Sequence, residues 1–150
     1  MRKSLFCLVT AMLVAGLLPF YACKGETSLL VQNQKLWQNK QILDYSYRLD
    51  IGGNFRPPPM GRFLISVKNG NPAGYTRLDQ PGDTNNQNVI KYDTFDKVFA
   101  LLEQSYQDPT LHMDVSYDAA YGFPTHVSVY SLTNILDFRC VITISGFTPG

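Results

Sequence analysis

Residue types that carry much of enzyme chemistry are scarce in this 150-residue chain, which has two histidines, three cysteines and one tryptophan. Charge is also nearly balanced, because 13 Lys and Arg residues stand against 12 Asp and Glu residues, for a net charge of +1. Because the chain has no surplus of positive charge to attract the phosphate backbone, we expect no nucleic-acid partner.

Motifs for common catalytic and cofactor sites are missing as well. The chain has no glycine-rich phosphate loop and no dinucleotide fingerprint. Ser66, Ser116 and Ser128 lie within predicted strands, and none has the Gly-x-Ser-x-Gly elbow of a nucleophilic serine. The sequence therefore indicates no cofactor and no metal, and it assigns no catalytic residue.

The N-terminus has the pattern of an export signal. Arg2 and Lys3 precede an uncharged, apolar run from Ser4 to Ala22. A basic start followed by an apolar core and a small residue is typical of a secretory signal peptide, which we predict for residues 1–22. The alternative is an uncleaved membrane anchor, because the run is long enough to span a bilayer. Pro19 and Ala22 favour cleavage.

Cys23 follows this run directly and resembles the lipidated cysteine of bacterial lipoproteins. The match is partial, since Phe20 and Tyr21 replace the usual Leu and small residue of that motif. The resemblance implies lipidation of Cys23 and a membrane-anchored protein of the cell envelope. The alternative is a soluble periplasmic or secreted protein that is cut near Ala22.

Cleavage after Ala22 leaves 150 − 22 = 128 residues, with 11 Lys and Arg against 12 Asp and Glu. We predict a short tether at residues 23–28 and a single domain at residues 29–150, which is long enough for one core. Cys140 is interpreted as a small buried side chain on a strand. If Cys23 is not lipidated, a Cys23–Cys140 disulfide is open to an exported protein.

Hydrophobic periodicity predicts two helices. The first carries an apolar stripe that includes Leu29, Leu30 and Trp37, with Ser28 as its N-cap. The second has a clearer stripe, follows Asp93 or Thr94 as cap, and stops at Gln107-Asp108-Pro109. The stripe of this second helix consists of Phe95, Val98, Phe99, Leu102 and Tyr106.

Alternating apolar and polar residues predict six strands, at residues 44–51, 62–68, 71–78, 111–118, 125–130 and 137–147. Asn69-Gly70 predicts a tight hairpin, and Gly122 is the expected positive-φ residue of another. The order helix-βββ-helix-βββ predicts an α+β fold of two layers, with both helices on one face of an antiparallel sheet. The two halves echo each other, so an internal duplication is a further hypothesis.

Two surfaces are candidates for function. The open side of the sheet and the loops at 55–61, 79–88 and 118–124 are the predicted contact surfaces of a non-enzymatic module that binds a protein, peptide or envelope component. The alternative is a small hydrolase or metal-dependent enzyme that uses His112, Asp114 and His126, which point outward on two strands that can pair.

Several short segments together resemble a known family. They are Trp37, the run Asp44-Tyr45-Ser46-Tyr47 with Arg48, the strand before Asn69-Gly70, the helix from Phe95 to Leu102, the Tyr121-Gly122-Phe123-Pro124 hairpin and the closing strand. The chain thereby resembles, over residues 29 to 148, a family of small bacterial envelope proteins known as domain of unknown function 6174. The resemblance implies an exported or lipid-anchored protein and carries no catalytic residue.

Overall fold

The computed structural model describes residues 24–53, 61–82, 89–133 and 139–150. Its elements follow the predicted order of one helix, three strands, one helix and three strands, with a short 3₁₀ turn at Val89–Lys91 that the sequence did not predict. The elements are α1 (Lys24–Lys40), β1 (Tyr45–Gly53), β2 (Gly61–Lys68), β3 (Asn71–Arg77), α2 (Phe95–Tyr106), β4 (Leu111–Tyr117), β5 (Pro124–Ser131) and β6 (Arg139–Pro149).

The six strands form one antiparallel sheet in the order β3-β2-β1-β6-β5-β4. Each half of the chain contributes a three-stranded meander, and the first and last strands meet at the centre. The predicted hairpin at Asn69-Gly70 joins β2 to β3, and both residues have positive φ, at 50° and 72°. This confirms the turn that the Asn-Gly pair predicts.

Strand alternation sorts the side chains into two layers, as predicted. On β1, Tyr45, Tyr47, Leu49 and Ile51 are all buried on the helix side. The alternate residues point to the other side, which the helices leave uncovered. The fold is therefore a two-layer α+β structure with a core on one side of the sheet.

Helix α2 forms as its sequence predicts. Thr94 is the N-cap, and its side-chain hydroxyl accepts a hydrogen bond from the backbone N–H of Lys97 at 3.3 Å. Such a bond satisfies one of the free N–H groups of the first turn. The helix ends at Tyr106, shortly before Pro109. Of the predicted stripe, four residues are fully buried and Tyr106 packs against them at partial exposure.

Helix α1 differs from its prediction at the start. It begins at Lys24 and continues to Lys40, so residues 24–28 belong to the helix, and Ser28 is an interior position and not the N-cap. Leu30 and Trp37 are buried as predicted, whereas the side chain of Leu29 is 53% exposed. Leu29 and Leu30 are adjacent, and neighbours on a helix point about 100° apart, so only one can face the core.

Trp37 is the centre of an aromatic cluster that joins α1 to the rest of the core. Its ring lies edge-on to the rings of Tyr45, Phe95, Phe123 and Phe147, at centroid separations of 5.2, 4.8, 6.3 and 6.0 Å. Edge-to-face contacts of this kind add to the stabilisation from area burial. Trp37 is 5% exposed, which confirms its prediction as a core residue.

The strand order argues against an internal duplication in which a single rotation superimposes the two helix-βββ halves. Both halves place their strands in the same lateral order, but their strand directions are opposite. A rotation that keeps the lateral order and reverses the strands also turns the sheet over, which would put the helices on opposite sides. Both helices pack on the same core. The echo between the halves is therefore one of sequence pattern only.

Candidate functional site

The side of the sheet opposite the core, called the open face from here on, is left uncovered by the two described helices. Strand register places its residues in rows across the sheet. Its members are mostly polar, as is common for the solvent side of an antiparallel sheet. They include Arg48 and Asp50 on β1, Arg62, Leu64 and Ser66 on β2, Val141 and Thr143 on β6, His126, Ser128 and Tyr130 on β5, and His112, Asp114 and Ser116 on β4.

Several exposed large apolar side chains lie on the open face. Leu64 and Tyr130 are 38% and 36% exposed there. Leu78 and Leu132 directly follow β3 and β5 and continue the outward alternation, since their N–H groups donate to the carbonyls of Arg62 and Thr110. Four of the eight exposed large apolar side chains of the described residues thus lie on this face or at its edge. They form two groups on either side of the central β1–β6 pair.

The structure brings together only part of the predicted histidine site. His112 Nε2 lies 3.5 Å from Asp114 Oδ1, and the His112 ring packs on the Tyr130 ring at a centroid separation of 4.7 Å. His126 pairs across the strands with Ser116, and its Nδ1 lies 3.5 Å from Thr143 Oγ1.

This register separates the two histidines. His112 and Ser116 are four residues apart on one strand, so His126 lies about 13 Å from His112 along the sheet. In the described parts of the chain, no three His, Cys, Asp or Glu side chains come close enough to share a metal ion. His112 and Asp114 remain a contacting pair of exposed side chains.

The Asp-Tyr-x-Tyr run at residues 44–47 connects several chain segments through hydrogen bonds. Asp44 Oδ1 accepts a hydrogen bond from the N–H of Asn69 at 2.7 Å, and the Asp44 carbonyl accepts one from Gly150 at 2.8 Å. Asp44 therefore connects the β2–β3 hairpin and the last residue of the chain to the start of β1. Its role in the described structure is to hold three chain segments together.

The two tyrosines of the run hold the start of α2. The Tyr45 hydroxyl accepts from the N–H of Phe95 at 3.1 Å, and the Tyr47 hydroxyl donates to the carbonyl of Tyr92. Burial raises the pKa of Tyr45 to about 12 and raises the pKa of Tyr47 as well. Both phenols are therefore neutral at physiological pH, and they act as buried hydrogen-bonding groups.

Within β1, Arg48 is the exposed residue of this motif, and it points to solvent on the open face. The pairing of β1 with β6 shifts register beside it, where Tyr47 faces both Gly146 and Phe147. Gly146 has φ of 58°, and a Cβ there would lie 3.6 Å from Arg48 Cδ. The β-bulge thus lays the aliphatic stem of Arg48 across Gly146, and bulges commonly re-aim a side chain in this way.

The predicted contact loop at 118–124 is largely an internal packing element. Asp118 Oδ1 accepts from the N–H groups of Ala120 and Tyr121, which fixes the turn. Gly122 has φ of 83°, and a Cβ at that position would lie 2.4 Å from the Asn33 carbonyl oxygen. Phe123 is 3% exposed. The hairpin therefore docks against α1, which explains its glycine and its aromatic residues.

The thiol of Cys140 lies on the helix side of β6 and is partly buried. Burial raises its pKa, so the thiol is less ionised than an exposed one. This fits its interpretation as a small core side chain. It is a free thiol in this structure. Cys23, the predicted signal peptide and most of the loops at 55–61 and 79–88 lie outside the described residues.

Asp93 is a buried acid at the start of α2. Its Oδ1 atom lies 2.7 Å from Lys97 Nζ, four residues along the chain, and the ammonium group also donates to the carbonyl of Ile90. Asp93 is 6% exposed and the side chain of Lys97 is half-exposed, so the ion pair lies at the boundary between the core and solvent beside the first turn of α2. We assign it a structural role.

The comparisons with known proteins identify a family and no activity. Among the residues that the structure describes, no helix is both long and apolar enough to cross a membrane. No curated protein and no solved structure matches the chain significantly. One family model matches residues 29–149, almost the whole predicted domain. The chain therefore belongs to the family of unknown function DUF6174.

Proposed function

We propose that this protein is exported, held at the cell envelope by a lipid on Cys23, and acts there as a non-enzymatic binding module through the open face. Its support at the N-terminus is the basic start, the apolar run to Ala22 and the cysteine that follows. Two acyl chains or more anchor a protein stably, whereas one chain binds only marginally.

The observation that carries the binding role is the pattern of exposed apolar residues. Leu64 with Leu78, and Tyr130 with Leu132, form two apolar groups separated by the strip of β1 and β6 residues. Exposed apolar residues rimmed by polar ones are typical of surfaces that contact another protein. Arg48, whose stem lies over the bulge in that strip, adds a charged group of the kind enriched at interfaces.

Intact-mass measurement of the protein from a membrane fraction tests the anchor. The chain is expressed with its own N-terminus, and we expect it to begin at Cys23 with added acyl mass. An unmodified chain in the soluble fraction would refute the anchor and would bring a Cys23–Cys140 disulfide into consideration.

Photo-cross-linking in cells tests the contact surface. A photoreactive residue replaces Leu64 or Tyr130 on the open face, and Ile90 and Leu43 serve as controls because they are exposed apolar residues away from this face. We expect discrete adducts from the two open-face positions and none from the controls. Equal labelling at all four positions would count against a specific surface.

A further inference from the structure

Helix α1 is already formed at Lys24, the first residue that the structure describes, so residues 24–28 of the predicted tether are regular helix. An α-helix rises 1.5 Å per residue, whereas an extended chain spans up to about 3.4 Å per residue and bends freely. The distance from residue 24 to any later residue of α1 is therefore fixed.

The helix is also fixed to the domain. Leu30 is 1% exposed, and Trp37 is enclosed by four aromatic rings. The backbone of α1 at Asn33 lies so close to Gly122 that no side chain fits between them. Three points along α1 are thus held by the core or by the β4–β5 hairpin, and the helix cannot swing as a separate arm.

We propose that α1 couples the lipid anchor rigidly to the domain, so that the bilayer surface holds the protein at a fixed height and tilt. This inference rests on the proposed lipidation of Cys23. Leu30 is six residues beyond Lys24, which places the edge of the core about 9 Å from the first described residue of the helix. The headgroup layer of one leaflet is about 5–8 Å thick, so the domain lies against the headgroups.

Two side chains in the first half of α1 fit this contact. Leu29 and Val31 are 53% and 39% exposed, although both are large and apolar. They lie about 7.5 and 10.5 Å along the helix from Lys24, and each is about 100° around the helix from the buried Leu30. They therefore flank the core on opposite sides, and a tilted helix brings one of them onto the phospholipid surface.

The distribution of distances between a fluorophore on α1 and the bilayer surface tests the rigid coupling of the anchor to the domain. A donor fluorophore is attached to Gln38→Cys, an exposed position of α1, in a Cys140→Ser background. The acylated protein is placed in phosphatidylethanolamine–phosphatidylglycerol vesicles that carry a headgroup acceptor. Time-resolved energy transfer compares the native chain with two five-residue insertions between Cys23 and Lys24. One insertion is flexible Gly/Ser, and its matched control is Glu-Ala-Ala-Ala-Lys, which continues the helix.

We expect a narrow distribution for the native chain and a broad one for the Gly/Ser insertion. The helical insertion should stay narrow and shift the reporter by up to about 7.5 Å, the rise of five helical residues. A native distribution as broad as that of the Gly/Ser insertion would refute the rigid coupling. The intact mass of the same sample separates the two proposals, because an unacylated chain refutes the anchor itself and the coupling with it.

Charge substitutions test which side of α1 faces the bilayer. We expect Leu29→Glu or Val31→Glu, but not both, to move the reporter away from the vesicle surface. Leu43→Glu is the matched control, since Leu43 is 58% exposed and lies beyond the far end of α1. Unchanged distances for both α1 variants would refute the apolar contact with the bilayer.

Discussion

The backbone N–H of Phe95 donates a hydrogen bond to the hydroxyl of Tyr45 over 3.1 Å, which joins the first residue of α2 to the first residue of β1. Tyr45→Phe removes the acceptor and leaves a buried N–H without a partner. We expect a loss of about 1–3 kcal/mol in the free energy of unfolding, measured by urea denaturation. Tyr130→Phe, on the exposed open face, should change it by less than about 0.5 kcal/mol.

Alkaline pH should unfold the protein through its buried tyrosines. The pKa of Tyr45 is raised from 10.0 to about 12 by burial, so the unfolded state loses this proton at lower pH than the folded state. The stability contribution is complete below pH 10 and is lost as the pH rises toward 12. Between pH 10 and 12 we expect the free energy of unfolding to fall by about 1.4 kcal/mol per pH unit on account of Tyr45.

The same titration has an internal control. Tyr45→Phe should show a shallower decline between pH 10 and 12 than the native chain, when the free energy of unfolding is measured at each pH. A slope equal to that of the native chain would show that Tyr45 ionises alike in the folded and unfolded states.

Alanine substitutions at Gly82 and Gly122 distinguish the stability cost of backbone strain from the cost of a steric clash. Both have positive φ, at 83° and 93°, but a Cβ at Gly82 meets nothing within 4 Å, whereas at Gly122 it meets the Asn33 carbonyl at 2.4 Å. We expect Gly82→Ala to cost about 1 kcal/mol from backbone strain alone. Gly122→Ala should cost at least about 2 kcal/mol more, because α1 must move away from the hairpin. Equal losses in thermal or urea unfolding would contradict the close packing.

Asp44 should matter for stability more than other exposed acids. Asp44→Ala removes the acceptor for the Asn69 N–H, and we expect a loss of about 1–2 kcal/mol because that bond involves a charged group. Asp114→Ala is the control, since its side chain is 67% exposed and its Oδ1 lies 3.5 Å from His112 Nε2. We expect the free energy of unfolding of this control, measured with urea, to lie within about 0.5 kcal/mol of that of the native chain.

The two histidines test the enzyme alternative. We expect His112→Ala and His126→Ala to fold normally, because both side chains lie on the side of the sheet away from the core. Titration with Zn²⁺, followed by calorimetry, should give the same weak signal for both variants and for the native chain. Tight binding by the native chain that is lost in His112→Ala would favour a metal-dependent enzyme.

Local sequence determined the elements of this protein. The period of two on β1, the Asn69-Gly70 turn, and the stripe and Thr94 cap of α2 are signals that neighbouring residues carry by themselves, and each has its predicted structure. The helix-βββ-helix-βββ order and the two-layer α+β class follow from them. The weaker pattern of α1 gave a wrong start at Ser28, because the first turn of the helix carries no apolar residue that would mark it.

Only the tertiary structure decided how these elements combine. Pairing of β1 with β6 is a contact between distant parts of the chain, and no local signal specifies it. The same holds for the two tyrosines of β1 that hold α2, and for Gly122 against α1. The sequence likewise put His112 and His126 on outward faces, but the strand register, set by packing of the buried face, placed them in different rows.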